Sequence, residues 1–306
     1  YAVTGVQTCA LPICWNALGQ VQVYLHYDPK EMSPDIQALQ NLGATDIKPS
    51  PPLSVIQAWI PATALNAAAN LPGIARVSLP RYGFTKRAPV AKSVTYSGPV
   101  TTEGDQILGA ANFRSSTGIS GQGIAVGVIS DGDDHTAGDQ KTGDLPPSIW
   151  NDPNDSNGVF FPKSSGDEGT AMMEIVYDLA PGMKQLGFCG PQTTVDFLTC
   201  LDDFAKDISA NVIVDDLGFP DAMFSTDRFT QAIQAFSQAH PNIRLVAATG
   251  NDGSGFWQGS WTPAPGSATT VNTVAYANAQ NFTPSGTPAP YLLITGSQLN
   301  DILEIG

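Results

Sequence analysis

Basic residues are scarce in this sequence: 14 Lys and Arg stand against 28 Asp and Glu, and the formal net charge is −14 over 306 residues. A surface this acidic offers few cations to phosphate groups, so nucleic acids and anionic membranes are not expected as partners. No apolar run approaches the ~18–20 residues that a transmembrane helix needs. Hydrophobic residues still make up 42% of the chain, enough for a buried core.

Cysteine and histidine are rare as well, with 4 and 3 residues. No CxxC pair and no cluster of the two residue types indicates zinc, so no metal or other cofactor is predicted. The acidic loop 131–144 could hold calcium, although it lacks EF-hand spacing, and a solvated loop is the alternative. Cys189 closes a predicted strand and Cys200 lies in the next predicted helix, so both a disulfide and two buried thiols are open.

Residues 1–15 are predicted to be a non-native leader read from a sequencing adapter, with a short native leader as the alternative. Residues 16–81 show strand and helix patterns in the order β-α-β-β-α-β, the ferredoxin-like split motif, and a generic ferredoxin-like binding module is one interpretation. A linker is expected over 82–105, which is rich in Pro, Ser and basic residues.

Residues 106–280 alternate strands and helices, and the near-continuous apolar strands predict a doubly wound parallel α/β sheet. In the last predicted helix, Phe229, Ile233 and Phe236 share one face and are expected in the core. Residues 281–306 are expected to begin a further β element. The predicted strands are 124–130, 184–189, 211–215, 243–248, 270–276 and 290–295, and the predicted helices are 168–178, 194–206 and 227–239.

Four segments carry the functional signal, in this order along the chain. GQGIAVGVISDGDD (121–134) is a glycine-rich turn and a buried strand that ends in acidic residues. SGDEGTAMMEIVYDLAPG (165–182) opens a helix with Glu-Gly-Thr and ends it near Ala-Pro. NVIVDDLGF (211–219) and RLVAATGNDGSGF (244–256) are strands that end in polar residues. Functional groups collect at the carboxyl ends of parallel strands.

Together these segments resemble the subtilases, the subtilisin-like serine peptidases. The resemblance implies a subtilisin-like sheet in 106–280 and makes 16–81 similar to a subtilase propeptide. A gapless alignment places Ser130 at the family aspartate, but Asp131, one residue later, is the predicted catalytic aspartate if the strand end bulges. Asn251 matches the asparagine that stabilises the oxyanion.

In the second motif Glu168 occupies the position of the family's catalytic histidine, and Gly169-Thr170 follows intact. A glutamate that merely caps the helix is the alternative. Asp216, Leu217 and Gly218 match the strand that pairs with the substrate backbone, with Asp216 in place of a serine. Asp215 or Asp216 could add an acid to the site, or either could simply form the turn at the strand end.

A glutamate can take a proton from a serine only while it is ionised, and a neighbouring Asp131 would push the two titrations apart. This acid-adapted chemistry resembles that of the sedolisins, the serine-carboxyl peptidases. The sequence departs from them at Met172, where their helix carries an aspartate. The resemblance therefore implies an arrangement intermediate between the two families.

No Gly-Thr-Ser, the motif of the family's nucleophile, occurs in the 306 residues. We therefore expect a fragment of a secreted, acid-active serine endopeptidase that cleaves polypeptides, is inhibited by its own propeptide, and is inactive without the missing serine. A catalytically inactive subtilase-fold binding module is the alternative, and an unrelated α/β ligand-binding protein is a third hypothesis.

Overall fold

The computed structural model describes residues 15–30, 34–83, 100–152, 166–219 and 227–250, and the backbone of four short strands between 263 and 280. The chain divides into two compact units, Tyr1–Gly250 and Asn251–Gly306. Within the described ranges, no helix is both long enough and apolar enough to span a bilayer.

The first sheet of the larger unit is antiparallel, with its four strands in the order β2-β3-β1-β4. A one-turn 3₁₀ helix precedes α2. The elements follow the predicted β-α-β-β-α-β order. Their bounds are β1 Gln20–Tyr27, α1 Ile36–Asn41, β2 Thr45–Ser50, β3 Val55–Pro61, α2 Leu65–Ala69 and β4 Ile74–Ser78.

Strand β1 is buried on both faces, although Val21, Val23 and Leu25 alternate with polar residues, a pattern that predicts a half-buried strand. Val23 and Leu25 pack with Leu39 of α1 on one face. On the other face Tyr24 joins a core cluster that includes Val195, and Gln22 is only 1% exposed. The polar face is covered because a second layer of the protein packs against this sheet.

That second layer is built on a parallel five-stranded sheet with the strand order β6-β7-β5-β8-β9. Its strands are β5 Ala125–Ile129, β6 Ile149–Asn151, β7 Gln185–Cys189, β8 Val212–Asp215 and β9 Arg244–Ala247. Its helices are α3 Glu103–Ile107, α4 Ala110–Thr117, α5 Thr136–Thr142, α6 Glu168–Leu179, α7 Thr194–Asp207 and α8 Arg228–Ala239.

The predicted strands and helices of this layer are found within one or two residues. Strand β6 and the short helices α3, α4 and α5 were not predicted, and α3 begins inside the expected linker. Helices cover both faces of the sheet: Met173 of α6 packs with Val126 and Val128 on one face, and Phe204 of α7 packs with Ile129 on the other. Phe229 and Phe236 of α8 are buried, as their helical spacing predicted.

A disulfide joins Cys189, the last residue of β7, to Cys200 of α7, with the two Cα atoms 6.0 Å apart. Both cysteines are buried. The pairing decides between the two states that the sequence left open.

The smaller unit contains two antiparallel pairs among its described residues. Strand β10 Pro263–Ala264 pairs with β13 Ala279–Gln280, and β11 Thr269–Val271 pairs with β12 Val274–Tyr276. The prediction of one strand over 270–276 is therefore wrong, because the chain reverses between β11 and β12. The strand predicted at 290–295 lies outside the described residues.

Replacing Gly127 by Ala should destabilise the larger unit. Gly127 lies on the central strand β5 beneath Phe204, and a Cβ atom there would be 2.6 Å from Cδ2 of that ring. Crowding of a packed core typically costs about 1–3 kcal/mol, which chemical denaturation of the full chain would measure. The control is Gly138→Ala in α5, where a Cβ atom meets nothing within 4 Å. Equal unfolding midpoints for the two variants would contradict the packing described here.

Candidate active site

The candidate site lies where β5 and β8 end side by side. Ile129 of β5 pairs with Asp215 of β8, so Ser130 and Asp216 are the next residues on the two strands. Because side chains alternate along a strand, Ser130 and Asp216 share the face of Val128 and Val214, the face that α6 covers. Asp215 is on the opposite face. Of the two acids between which the sequence could not choose, Asp216 is therefore the one on the side of α6.

Helix α6 begins at this point, with Glu168 as its first residue. Oδ1 of Asp131 accepts a hydrogen bond from the backbone N–H of Glu168 at 3.3 Å. A Cβ atom on Gly169 would lie 2.5 Å from the carbonyl oxygen of Gly132 and 2.3 Å from the ring of Phe188. Only glycine allows this approach, so the helix start is held directly against the strand ends.

The site brings together three carboxyl groups, those of Asp131, Glu168 and Asp216. Burial raises the pKa of Asp216 to about 7, and the nearby charges of Glu168 and Asp131 and a hydrogen-bonding contact with the Glu168 carboxyl add to the shift. The hydroxyl of Ser130 lies close enough to lower that pKa in part. Even so, neither Oγ of Ser130 nor Oδ1 of Asp216 completes a hydrogen bond of good geometry, and both atoms are buried.

The carboxyl groups of Glu168 and Asp216 are therefore neighbours in the site. Because a second negative charge beside Glu168 and Asp131 is unfavourable, these neighbours contribute to the raised pKa of Asp216. Below a pH of about 7, Asp216 is mostly protonated, and a protonated carboxyl group can donate a hydrogen bond. One member then orients the other, which is an arrangement suited to general acid–base chemistry.

The predicted site residues differ in how they contact Glu168. Asp131 contacts the backbone of Glu168, while Asp216 contacts its carboxyl group. Leu217 and Gly218 continue the chain beyond β8, and Gly218 takes part in a β-bridge. Asn251, the predicted oxyanion donor, lies outside the described residues.

His135 belongs to the same neighbourhood, although no sequence motif pointed to it. Its backbone N–H and its Nδ1 lie 3.0 and 2.7 Å from the two carboxylate oxygens of Asp167, the residue before α6. The hydrogen bond to the carboxylate of Asp167, supported by the charge of that group, raises the pKa of His135. Because Asp167 is held by His135, it makes no capping bond to α6, and Asp131 supplies one instead.

A second group of acids includes part of the loop in which calcium was considered. Ligand oxygens of Asp139, Asp144 and Glu174 lie within 4.8 Å of one another. Burial first, and then the charges of Asp139 and Asp144, contribute to raising the pKa of Glu174 to about 7. Oxygen ligands of this kind suit a hard cation. Among the described residues, nothing else at this cluster indicates a bound ion.

The segment that leaves β4 runs along the edge of the site. Tyr82 pairs with Thr193 in an antiparallel bridge, and the N–H of Gly83 donates to the carbonyl oxygen of Gln192 at 2.7 Å. Gly83 also lies against the ring of Phe219, the residue after Gly218. The beginning of the expected linker thus passes between residues 192–194 and the ring of Phe219.

No protein-family model and no curated protein sequence matches this chain. Among solved structures, the S393A variant of the epidermin leader peptide processing serine protease of Staphylococcus aureus matches with 16% identity and a TM-score of 0.50. The match covers 76% of this chain and 62% of that one. The chain shares the fold of a serine protease. A second structure of that protease matches at 16% identity and a TM-score of 0.48, over 76% of this chain and 61% of that one.

The chain therefore covers less than two thirds of the length of the protease chains that it resembles. At this level of identity the likeness describes the fold, and the chemistry must be argued from the site itself. The subtilisin-like or sedolisin-like character of the fold stays a prediction.

Replacing Asp216 by Asn should raise the thermal midpoint of the chain at alkaline pH. The pKa of Asp216 is about 7 when folded and 3.8 ordinarily, so its contribution to stability is greatest in acid and is lost as the pH rises from about 4 through 7. Asn removes the charge and keeps the shape. We expect a rise of roughly 2–4 °C at about pH 8 and little change at about pH 3.5.

The control for this measurement is Asp28→Asn, in the exposed turn after β1. The Asp28 carboxylate accepts from the N–H of Lys30, and the amide oxygen of Asn can do the same. This variant should leave the midpoint unchanged at both pH values. A D216N midpoint that matches the original chain in alkali would contradict the burial of an ionised carboxyl group at this position.

Proposed function

We propose that this chain is the acid–base part of a serine-type endopeptidase of the subtilisin or sedolisin kind, active in acid. The observation that carries the proposal is the meeting of Glu168, Asp131 and Asp216 where α6 begins at the ends of β5 and β8. The fold shared with a serine protease supports it. The predicted sequence motifs assign Glu168, Asp131 and Asn251 to catalysis, and the geometry adds Asp216.

In this mechanism, ionised Glu168 accepts the proton of a serine hydroxyl as the serine attacks the peptide carbonyl. Protonated Asp216 donates a hydrogen bond to Glu168 and fixes its orientation. Asp131 binds the N–H at the start of α6 and so holds Glu168 in place. Asn251 stabilises the oxyanion, and an acyl-enzyme forms. The 306 residues contain no Gly-Thr-Ser, so the nucleophile is not assigned to any of them.

The substrate is a polypeptide in extended conformation, paired with the strand that Leu217 and Gly218 continue. Residues 81–83 lie along that part of the site, paired with residues 192–194 and packed against Phe219. A segment that pairs as an added strand is a peptide-recognition mode of exposed sheet edges. We propose that residues 16–83 act as an intramolecular inhibitor by occupying the substrate position.

Hydrogen bonds across the layers hold the inhibitory segment in place. Gln57, which is fully buried, accepts from Oγ1 of Thr193 at 2.6 Å and donates to Oδ1 of Asp196 at 3.1 Å. Lys48 donates to the same Asp196 oxygen at 3.0 Å. Burial would lower the pKa of Lys48, but the charges of Asp196 and Asp46 outweigh it, so the pKa is raised. Tyr24 adds a bond between its hydroxyl and Oγ1 of Thr194 at 3.0 Å.

Secretion is part of the proposal. The buried Cys189–Cys200 disulfide supports it, because such bonds persist mainly in oxidising compartments. The alternative function is a catalytically inactive binding module of the same fold. A Gly-Thr-Ser before a helix in the extended gene product would support the enzyme, and its absence there would support the binding module. The neighbouring carboxyl groups of Glu168 and Asp216 inside the site favour the enzyme.

Peptide hydrolysis should be absent from the 306-residue chain and present in a gene product that also carries the serine. In that active protein, Glu168→Gln should lower kcat/KM by about 10²–10⁴-fold, because Gln cannot accept the proton. Asp216→Asn should retain activity and extend it to higher pH, because the Asn amide donates to Glu168 at every pH. A pH profile of kcat/KM measures both effects.

Asp131→Asn is the matched control for these variants. It removes a carboxylate of the same cluster whose charge raises the pKa of Asp216 less than burial does, so the alkaline limb of the profile should move less than with D216N. The peptidase proposal fails if the serine-bearing protein hydrolyses no peptide between about pH 3 and pH 7. If the alkaline limb of the pH profile of kcat/KM moves by the same amount in D131N and D216N, Asp216 does not have the proposed role.

Gln57→Met should loosen the inhibitory segment. The substitution keeps the length of the side chain but removes its bonds to Thr193 and Asp196, at a cost of about 1–3 kcal/mol for buried polar groups left unpaired. Amide exchange at Gly83 and Thr194 should speed up, while Val126 and Val128 in β5 should exchange as before. The control is Gln40→Met on the exposed side of α1. Unchanged exchange at Gly83 and Thr194 would argue against docking through Gln57.

A further inference from the structure

A cavity of about 420 Å³ lies between the first sheet and helix α8. Its walls come from β1, the turn before β3, β4, the segment that follows β4, and the starts of α7 and α8. The apolar part of the lining includes Tyr24, Leu53, Val55 and Phe229. None of these walls belongs to the carboxyl site at the ends of β5 and β8.

The charge of this cavity is opposite to that of the protein. Arg76, Arg81 and Arg228 line it, and Asp227 is the only acid among the described lining residues. Three of the chain's 14 basic residues thus converge on one cavity of a protein whose net charge is −14. Arg81 is paired with Asp227. The other two guanidinium groups therefore carry charge beyond what the single acid balances.

Arg76 and Arg228 donate to neutral acceptors. Nη2 of Arg76 lies 3.2 Å from Nε2 of His26, and Arg228 donates to Oγ of Ser54. Because a guanidinium group only donates, the imidazole must accept through Nε2 and is neutral in this arrangement. Neither contact neutralises the positive charge, and both arginines are exposed at the rim, where a ligand can reach them.

His26 reports the electrostatic potential inside the cavity. Burial first, and then the charges of Arg76, Arg228 and Arg81, together lower its pKa to about 4. A histidine beside an unbalanced positive charge resists protonation, and an anion placed among the same groups would reverse part of that effect. The pKa of His26 should therefore rise when an anion binds in the cavity.

We propose that this cavity is a binding site for a small organic carboxylate. Guanidinium groups match the geometry of a carboxylate with paired hydrogen bonds, so the head group binds Arg76 and Arg228. The cavity is much larger than an inorganic ion, and its apolar walls accept an apolar body beside Leu53 and Phe229. A ligand there touches both layers of the larger unit and stabilises their contact by mass action. The site does not depend on the proposed peptidase activity.

The test uses the full chain with N-acetyl-phenylalanine as the probe and its neutral amide as the comparison, both at fixed ionic strength. The carboxylate should raise the thermal midpoint in a saturable way and the amide should not. Arg228→Gln and Arg76→Gln should each weaken binding of the carboxylate by about tenfold or more, the loss expected for one charged hydrogen bond. Arg244→Gln on exposed β9 removes the same charge outside the cavity and should bind as the original chain does.

An independent readout is the NMR titration of His26, whose pKa should rise when the carboxylate binds and stay unchanged with the amide. The groups that face His26 are Arg76, Arg81 and Arg228, with Asp227 paired to Arg81. Inorganic phosphate that raises the midpoint as strongly as the probe would overturn the assignment to an organic anion. Equal binding by R228Q and R244Q, or an unmoved His26, would overturn the site.

Discussion

The contact between the first turn of α6 and the ends of the central strands determines the rest of the site. Gly169 lies so close to Gly132 and Phe188 that no side chain fits there. This close packing places Glu168 next to Asp216. The unpaired N–H at the start of the helix is then satisfied by Asp131. One steric constraint therefore produces both the carboxyl pair and its support.

This arrangement has a thermodynamic cost that depends on pH. Carboxyl groups whose pKa values rise to about 7, as for Asp216 and Glu174, weaken the folded state at neutral pH and favour it in acid. His26 acts in the other direction: its pKa is lowered from 6.5 to about 4, so its contribution to stability is complete above about pH 6.5 and is lost as the pH falls to about 4. The carboxyl groups and His26 therefore oppose each other between about pH 4 and pH 7, and the stability of the folded chain over that range is a balance of the two.

Sequence predicted most of the parallel sheet, because its strands are apolar on both faces and its helices have clear periodicity. It also predicted Glu168 at a helix start. It could not choose between Asp215 and Asp216, since that choice requires the pairing of β8 with β5, which local pattern does not encode. His135 meets Asp167 across 32 residues of chain through folding alone. The buried Gln22 face of β1 was missed for a related reason, because its burial depends on a separate layer.

The disulfide links these separate layers indirectly. Cys189 ends β7 and Cys200 lies in α7, so the bond closes a loop with a sequence separation of 11 that contains residues 192–194. Those residues pair with the segment after β4, and Thr193 and Asp196 bind Gln57 of β3. Closing this loop restricts the unfolded chain and fixes the start of α7 relative to the sheet. The surface that receives the first layer is therefore stabilised by a covalent bond within the second, and the first layer docks on it through both hydrogen bonds and the apolar cluster that includes Tyr24 and Val195.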